Sequence, residues 1–186
     1  MEELTKRIAA LLAHKPNAVI GIDGCCASGK TSLASLLSKK FDAQVIHMDD
    51  FFLPPEMRTE ERLLEAGGNI HYERFLSEVA VEIKNGSDFD YGVFSCKEMR
   101  IIGKNAVSAD KPIIIEGAYA LHPRFGDIYD LKVFVTVSHE TQLKRIAARN
   151  GADALDAFTS KWIPFENKYF SAFGISDKCD IIINNK

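Results

Sequence analysis

The residues most able to do chemistry stand in one run, Gly24-Cys25-Cys26-Ala27-Ser28-Gly29-Lys30-Thr31, which matches G-x-x-x-x-G-K-[ST]. Phosphate oxygens need many donors converging on a small volume. A tight turn leading into a helix supplies them as successive backbone N–H groups, together with the positive end of the helix macrodipole. Gly24 and Gly29 let the backbone come close. Lys30 is long enough to reach β- and γ-phosphates, and the Thr31 hydroxyl suits the magnesium ion that bridges them. The expected ligand is ATP with Mg2+, held from Gly24 to Ser32. Cys25 and Cys26 occupy variable positions that any small residue could fill. The surrounding N–H groups predict more reactive thiols there than at Cys179.

Asp49 and Asp50 follow an apolar pair in Val45-Ile46-His47-Met48-Asp49-Asp50-Phe51-Phe52. A carboxylate beside a γ-phosphate can accept the proton of an attacking hydroxyl, or hold magnesium through water. Successive residues leaving a strand point to opposite faces, so one of the pair looks into the cleft. Either of Asp49 and Asp50 can be the base or metal-side carboxylate with the other placed toward the acceptor, and spacing alone leaves that choice open. The plainer reading, a turn cap, fits one of them but not both. Glu116 ends the run Ile113-Ile114-Ile115 before Gly117, where a carboxylate can assist magnesium beside Thr31 or else bond a loop. Arg145 and Arg149 share a helical face and, with Lys30, can neutralise transferred phosphate; a solvated face is the bland alternative. Tyr72, His71 and His122 are candidates for the acceptor pocket, although lone residues of these types more often serve structure.

The elements that must position these groups follow from apolar spacing. Leu4, Ile8, Leu11 and Leu12 recur at helical spacing over residues 2–14, and Pro16 stops that helix. Near-continuous apolar runs at residues 18–23, 45–46, 113–115, 133–137 and 181–183 read as strands covered on both faces. Helical patterns follow residue 30 and span roughly residues 72–84, 139–150 and 154–170. The alternation predicts an α/β P-loop NTPase fold, a five-stranded parallel sheet with helices on both faces. Residues 88–104 break the rhythm with two strand-like pieces, 89–95 and 99–102, read as a small β-hairpin insertion. No repeat or linker divides residues 1–186, which are expected to form one domain.

Composition narrows the function classes. Against 26 acidic side chains stand 23 basic ones, a formal charge of −3 that leaves no surplus for tracking nucleic acid. The apolar runs are far shorter than the ~20 residues of a membrane span, and no signal peptide is legible. A cytoplasmic location, no membrane and no nucleic-acid partner are expected. The four cysteines form no C-x-x-C pair, so reduced thiols are the expected state.

With these residues assembled, the chain resembles the uridine kinase and nicotinamide riboside kinase group of P-loop kinases over nearly its whole length after the first helix. Asp49-Asp50-Phe51-Phe52 is similar to the group's D-[DS]-F-[FY] stretch, whose first Asp is the presumed base. Ile115-Glu116-Gly117 resembles its strand end, Tyr91 with the hairpin resembles its nucleoside-contacting insertion, and the helix bearing Arg145 and Arg149 resembles its lid. The resemblance implies ATP-dependent phosphorylation of a small nucleoside-like or riboside-like acceptor. The chain also departs from the pattern. Ile70-His71-Tyr72-Glu73-Arg74-Phe75 replaces a D-H-P-D-A-F-like segment, and Cys96 stands roughly where uridine kinases have a base-contacting His. Uridine is therefore expected to be a poor acceptor. A GTPase would need an N-K-x-D clamp, and Asn167-Lys168-Tyr169-Phe170 lacks its Asp. A nucleotide-binding ATPase or regulatory protein with no small-molecule acceptor is the competing class.

Overall fold

The computed structural model describes residues 1–186. Strands β1 (Val19–Gly24), β2 (Gln44–His47), β5 (Ile113–Glu116), β6 (Leu131–Thr136) and β7 (Ile181–Asn184) form one parallel sheet in the order β2-β5-β1-β6-β7. Every residue of the central strand β1 is buried, as a strand flanked on both edges and covered on both faces must be. Side chains alternate across the pleat. Ile20, Ile22, Ile114, Val133 and Val135 therefore meet Leu4 and Ile8 of α1 (Glu2–His14) and Leu33, Ala34 and Leu37 of α2 (Lys30–Phe41). On the opposite face, Val19, Ile46, Ile113, Ile115 and Phe134 pack with Phe75, Val79, Ala80 and Tyr169. Each fully buried aliphatic side chain there contributes roughly 1.5–3 kcal/mol over an exposed one.

The covering helices are α4 (residues 72–85, with a π turn at Leu76–Ala80), α5 (His139–Asn150) and α6 (residues 155–173, with a π turn at Phe158–Trp162). Ser138 caps α5 by accepting from the Thr141 N–H at 3.2 Å, and Gly174 ends α6 at φ 57°. A short helix α3 (Glu60–Leu64), capped by Thr59, precedes α4 and has no clear apolar period in the sequence.

The hairpin insertion is present as an antiparallel pair, β3 (Phe89–Ser95) and β4 (Arg100–Val107). Its second strand runs longer than the expected 99–102. The exposed residues of β4 carry no apolar alternation to mark its end, and pairing with β3 extends it to Val107 opposite Phe89.

Tyr72 and His122, expected at an acceptor pocket, are core residues instead. Their residual exposures are 5% and 2%. The His122 ring stacks on Tyr72 and Tyr169, with centroids 5.5 and 5.7 Å away, and Tyr72 lies beneath the Arg62 guanidinium. Aromatic stacking explains their residue types without a ligand. Burial, with Arg124 and Arg62 nearby, lowers the His122 pKa from 6.5 to about 4. The unfolded chain therefore binds a proton here between pH 6.5 and 4 that the folded chain refuses, so stability falls as pH drops through that window. The unfolding midpoint should fall across it, by an effect on the order of 2 kcal/mol, and His122→Phe should flatten the slope. Equal slopes in thermal melts of the two proteins would remove His122 as the cause.

Candidate active site

The phosphate-binding turn sits between β1 and α2, at the carboxyl edge of the sheet, where ligands of open α/β sheets bind. Gly24 has φ 141°, and a Cβ there would lie 1.9 Å from the Val135 carbonyl oxygen, so only glycine lets the chain leave the sheet at this point. The Lys30 ammonium donates to the Gly24 and Cys25 carbonyls, both at 2.8 Å, which fixes it at the mouth of the turn. Inside the turn, Ser28 Oγ is buried with no protein partner. A set of N–H groups, a lysine and an unbonded hydroxyl suits an anion with several acceptor oxygens.

Carboxylates gather beside it. Thr31 Oγ1 lies 3.3 Å from Glu116 Oε2, and His47 Nδ1 is 2.6 Å from Glu116 Oε1. That contact raises the His47 pKa, with burial opposing it. Gly117, at φ 139°, follows because a Cβ would meet the Met48 side chain at 2.7 Å. Asp49 opens onto the same cleft, and its surroundings raise its pKa, first by burial and then by the Glu116 charge. Thr31, Glu116 and Asp49 offer hard oxygen donors. No group of three or more His, Cys, Asp or Glu side chains could cage a metal by itself.

One cleft of about 1050 Å³ is lined by Ala27, Gly29, Lys30, Thr31, Ser32, Asp49, Glu116, Arg145 and Arg149 among others. Arg145 Nη1 donates to the Ala27 carbonyl at 3.3 Å, and Arg149 is exposed. Asp50 is not on this lining. Its Oδ2 accepts from the Tyr91 hydroxyl at 3.2 Å, and Tyr91 is only 1% exposed with its ring stacked on Phe51. The two therefore join the hairpin to the strand end, and neither lines this cleft.

Sequence reasoning missed several residues of the cleft: Asn69, whose Nδ2 is buried without a partner; the aromatic wall of Phe52, Phe158 and Trp162; and Glu166. Asn69 could have been sought only as a polar residue next to the glycine pair at 67–68. Phe52 stands in the Asp49-Asp50-Phe51-Phe52 stretch without being marked as a wall, and nothing local marks Phe158, Trp162 or Glu166.

Burial raises the pKa of Cys25 against the pull of Lys30, burial with the neighbouring Glu166 pushes Cys26 up to about 12, and burial pushes Cys179 up to about 12 as well. Desolvation raises all three thiols, and of the three Cys25 has the Lys30 charge as its main opposing influence.

No family model matches the chain. It is similar to a nicotinamide riboside kinase of Eremothecium gossypii, 25% identical over 178 residues covering 83% of this chain and 73% of that protein. A Schizosaccharomyces pombe protein provisionally named a uridine kinase is 26% identical over 183 residues, 84% of this chain and 76% of that one. The solved structure of a possible uridine kinase from Bacillus stearothermophilus matches with a TM-score of 0.69 at 20% identity, over 97% of this chain and 99% of that one. The chain has the fold of that P-loop kinase-like structure. The group it resembles is that of the nicotinamide riboside and uridine kinases, as its DDFF segment suggested.

The geometry separates the two adjacent carboxylates. Asp49→Asn should leave ADP binding within a few-fold and slow phosphoryl transfer by about 10²–10⁴, the usual worth of a positioned base. Asp50→Asn should cost less in rate and instead loosen the Tyr91 contact. Steady-state rates with calorimetric ADP affinities check this, and a larger rate loss at Asp50 would reverse the assignment.

Proposed function

We propose that the chain transfers the γ-phosphoryl group of ATP to a hydroxyl of a nucleoside-like small molecule, with magnesium as companion ion. The observation that carries this reading is the shared cleft. Lys30 and Thr31 line it together with Asp49, and the same space continues to Asn69, Phe52 and Trp162. A hydrolase or regulatory protein needs the cradle alone, whereas the aromatic side chains of Phe52, Phe158 and Trp162 on the same cleft give a second small molecule a surface to sit on.

In this reading the acceptor hydroxyl lies beside Asp49. Its oxygen forms a bond to the γ-phosphorus as the bond to the ADP oxygen breaks, and its proton passes to the Asp49 carboxylate. Crowding that raises the Asp49 pKa makes it a stronger base than a free carboxylate. Lys30, Arg145 and Arg149 offset charge spreading over the transferred group. Magnesium held by the Thr31 hydroxyl, with Glu116 and Asp49 near it, would neutralise the β- and γ-oxygens. The aromatic wall holds a flat or apolar portion of the acceptor, with Asn69 beside it on the cleft.

Acceptor choice follows from the polar groups present. Ile70 is fully buried and pairs with Phe52, so it offers no hydrogen bond to a ribose, and Cys96 is a weak donor at the cleft. A missing partner in a site built for hydrogen bonding costs roughly 1–3 kcal/mol. A screen of uridine, cytidine, nicotinamide riboside and other hydroxyl compounds should therefore show acceptor-dependent ADP formation, with uridine a poor substrate. Lys30→Ala should lose transition-state stabilisation on the order of 3 kcal/mol. ADP formation that no acceptor accelerates would return the chain to the ATPase or regulatory class.

A further inference from the structure

Against the phosphate-binding turn lies a carboxylate that neither the mechanism above nor the kinase resemblance uses. Glu166 lies on α6, is 6% exposed, and accepts a hydrogen bond at 2.8 Å from the backbone N–H of Cys26, the third residue of the turn. It lines the same cleft as Lys30. The N–H groups of such a turn gain their purpose from binding an anion. Here one of them already holds a side-chain anion, supplied from 140 residues further along the chain.

Its position is fixed from two sides. On the turn, Gln142 donates to the carbonyl and sulfur of Cys26, at 3.1 and 3.2 Å, so Cys26 cannot swing away from Glu166. On the helix, the Tyr169 hydroxyl donates to the buried Asp23 carboxylate at 2.8 Å and pins α6 to the end of β1. The carboxylate is thus built into the cradle, and it sits within reach of the Lys30 charge that the cradle offers to phosphate.

We propose that Glu166 sets the nucleotide affinity of this site: its charge offsets part of the cradle's positive potential, weakening the grip on the nucleotide and speeding release of ADP. The proposal rests on the nucleotide-binding reading of the turn. Burial raises the pKa of Glu166, while Lys30 and the Cys26 N–H favour its charged form.

The test compares ADP binding by the full-length protein and two variants. Glu166→Gln keeps an acceptor oxygen for the Cys26 N–H and removes the charge, and Glu166→Ala removes both. Calorimetry should give an ADP Kd about tenfold lower in Glu166→Gln, the scale of one unit charge acting through the protein at close range. Stopped-flow fluorescence of Trp162, the only tryptophan and a cleft residue on the same helix, should show ADP leaving correspondingly more slowly. Tighter binding in Glu166→Ala alone, should Glu166→Gln not fold, supports the same conclusion. Wild-type binding with equal or weaker affinity in the folded variants would overturn this inference and leave the kinase reading standing. Failure of all three proteins to bind ADP would overturn the nucleotide reading itself.

Discussion

A turn that points its N–H groups inward must point its carbonyls outward, and every one of those carbonyls then needs a donor. From Gly24 to Ser28 each receives one from a side chain. Lys30 serves Gly24 and Cys25, Gln142 serves Cys26, Arg145 serves Ala27, and Asn185 serves Ser28 at 2.7 Å. A buried carbonyl left without a partner would cost about 1–3 kcal/mol. The donors come from α2, from α5 and from the chain just after β7, so satisfying the turn brings three separate parts of the molecule to one place. The arginine proposed to face the γ-phosphate is one of these donors. Its position follows from the needs of the backbone before any nucleotide is considered.

Just before the turn, Asp23 applies the same logic with the sign reversed. Its carboxylate is fully buried and accepts from the N–H groups of Gly24, Tyr119 and Leu121 and from the Tyr169 hydroxyl. Burial raises its pKa, and the Leu121, Tyr169 and Gly24 donors oppose that rise. Four donors around one carboxylate tie the end of β1 to the segment after β5 and to α6. The cleft walls contributed by Tyr119 and Glu166 thereby have a common origin beside the phosphate loop.

Much of this was legible in the residues because the relevant signals are local. The turn is eight consecutive residues, and the strands are apolar runs whose alternate members separate cleanly onto the two faces, as Ile114 does from Ile113 and Ile115. Asp49 and Glu116 were legible because each follows such a run directly. Glu166, Asn69 and Asp23 were not. Their roles are set by partners that are distant in sequence, and their residue types fit a surface helix, a loop or a strand end equally well. Tyr72 and His122 misled for the opposite reason, since side chains that can bind a ligand can also fill an aromatic core. At the cysteines, helix-terminus electrostatics are visible in the motif while the depth of burial is not.

The separation of Asp49 from Asp50 shows how the hairpin takes part in the site without lining most of it. Arg74, only 9% exposed, donates to the Asp50 carbonyl, to the Gly92 carbonyl at 2.6 Å and to Glu78 at 3.1 Å, with its guanidinium over the Phe51 ring. Asn105 of β4 donates to the Tyr91 hydroxyl at 3.1 Å, and Tyr91 in turn donates to Asp50. The chain after β2 is therefore gripped by α4 and by both hairpin strands. That grip consumes the side chain of Asp50 and leaves Asp49 as the one carboxylate of the pair on the cleft. A loss of hairpin contacts would then reach the proposed base through the backbone of a single adjacent residue. Acceptor fit along Cys96 and proton transfer at Asp49 would in that case share one mechanical support, because the strand that carries Tyr91 is the strand that leads into Cys96.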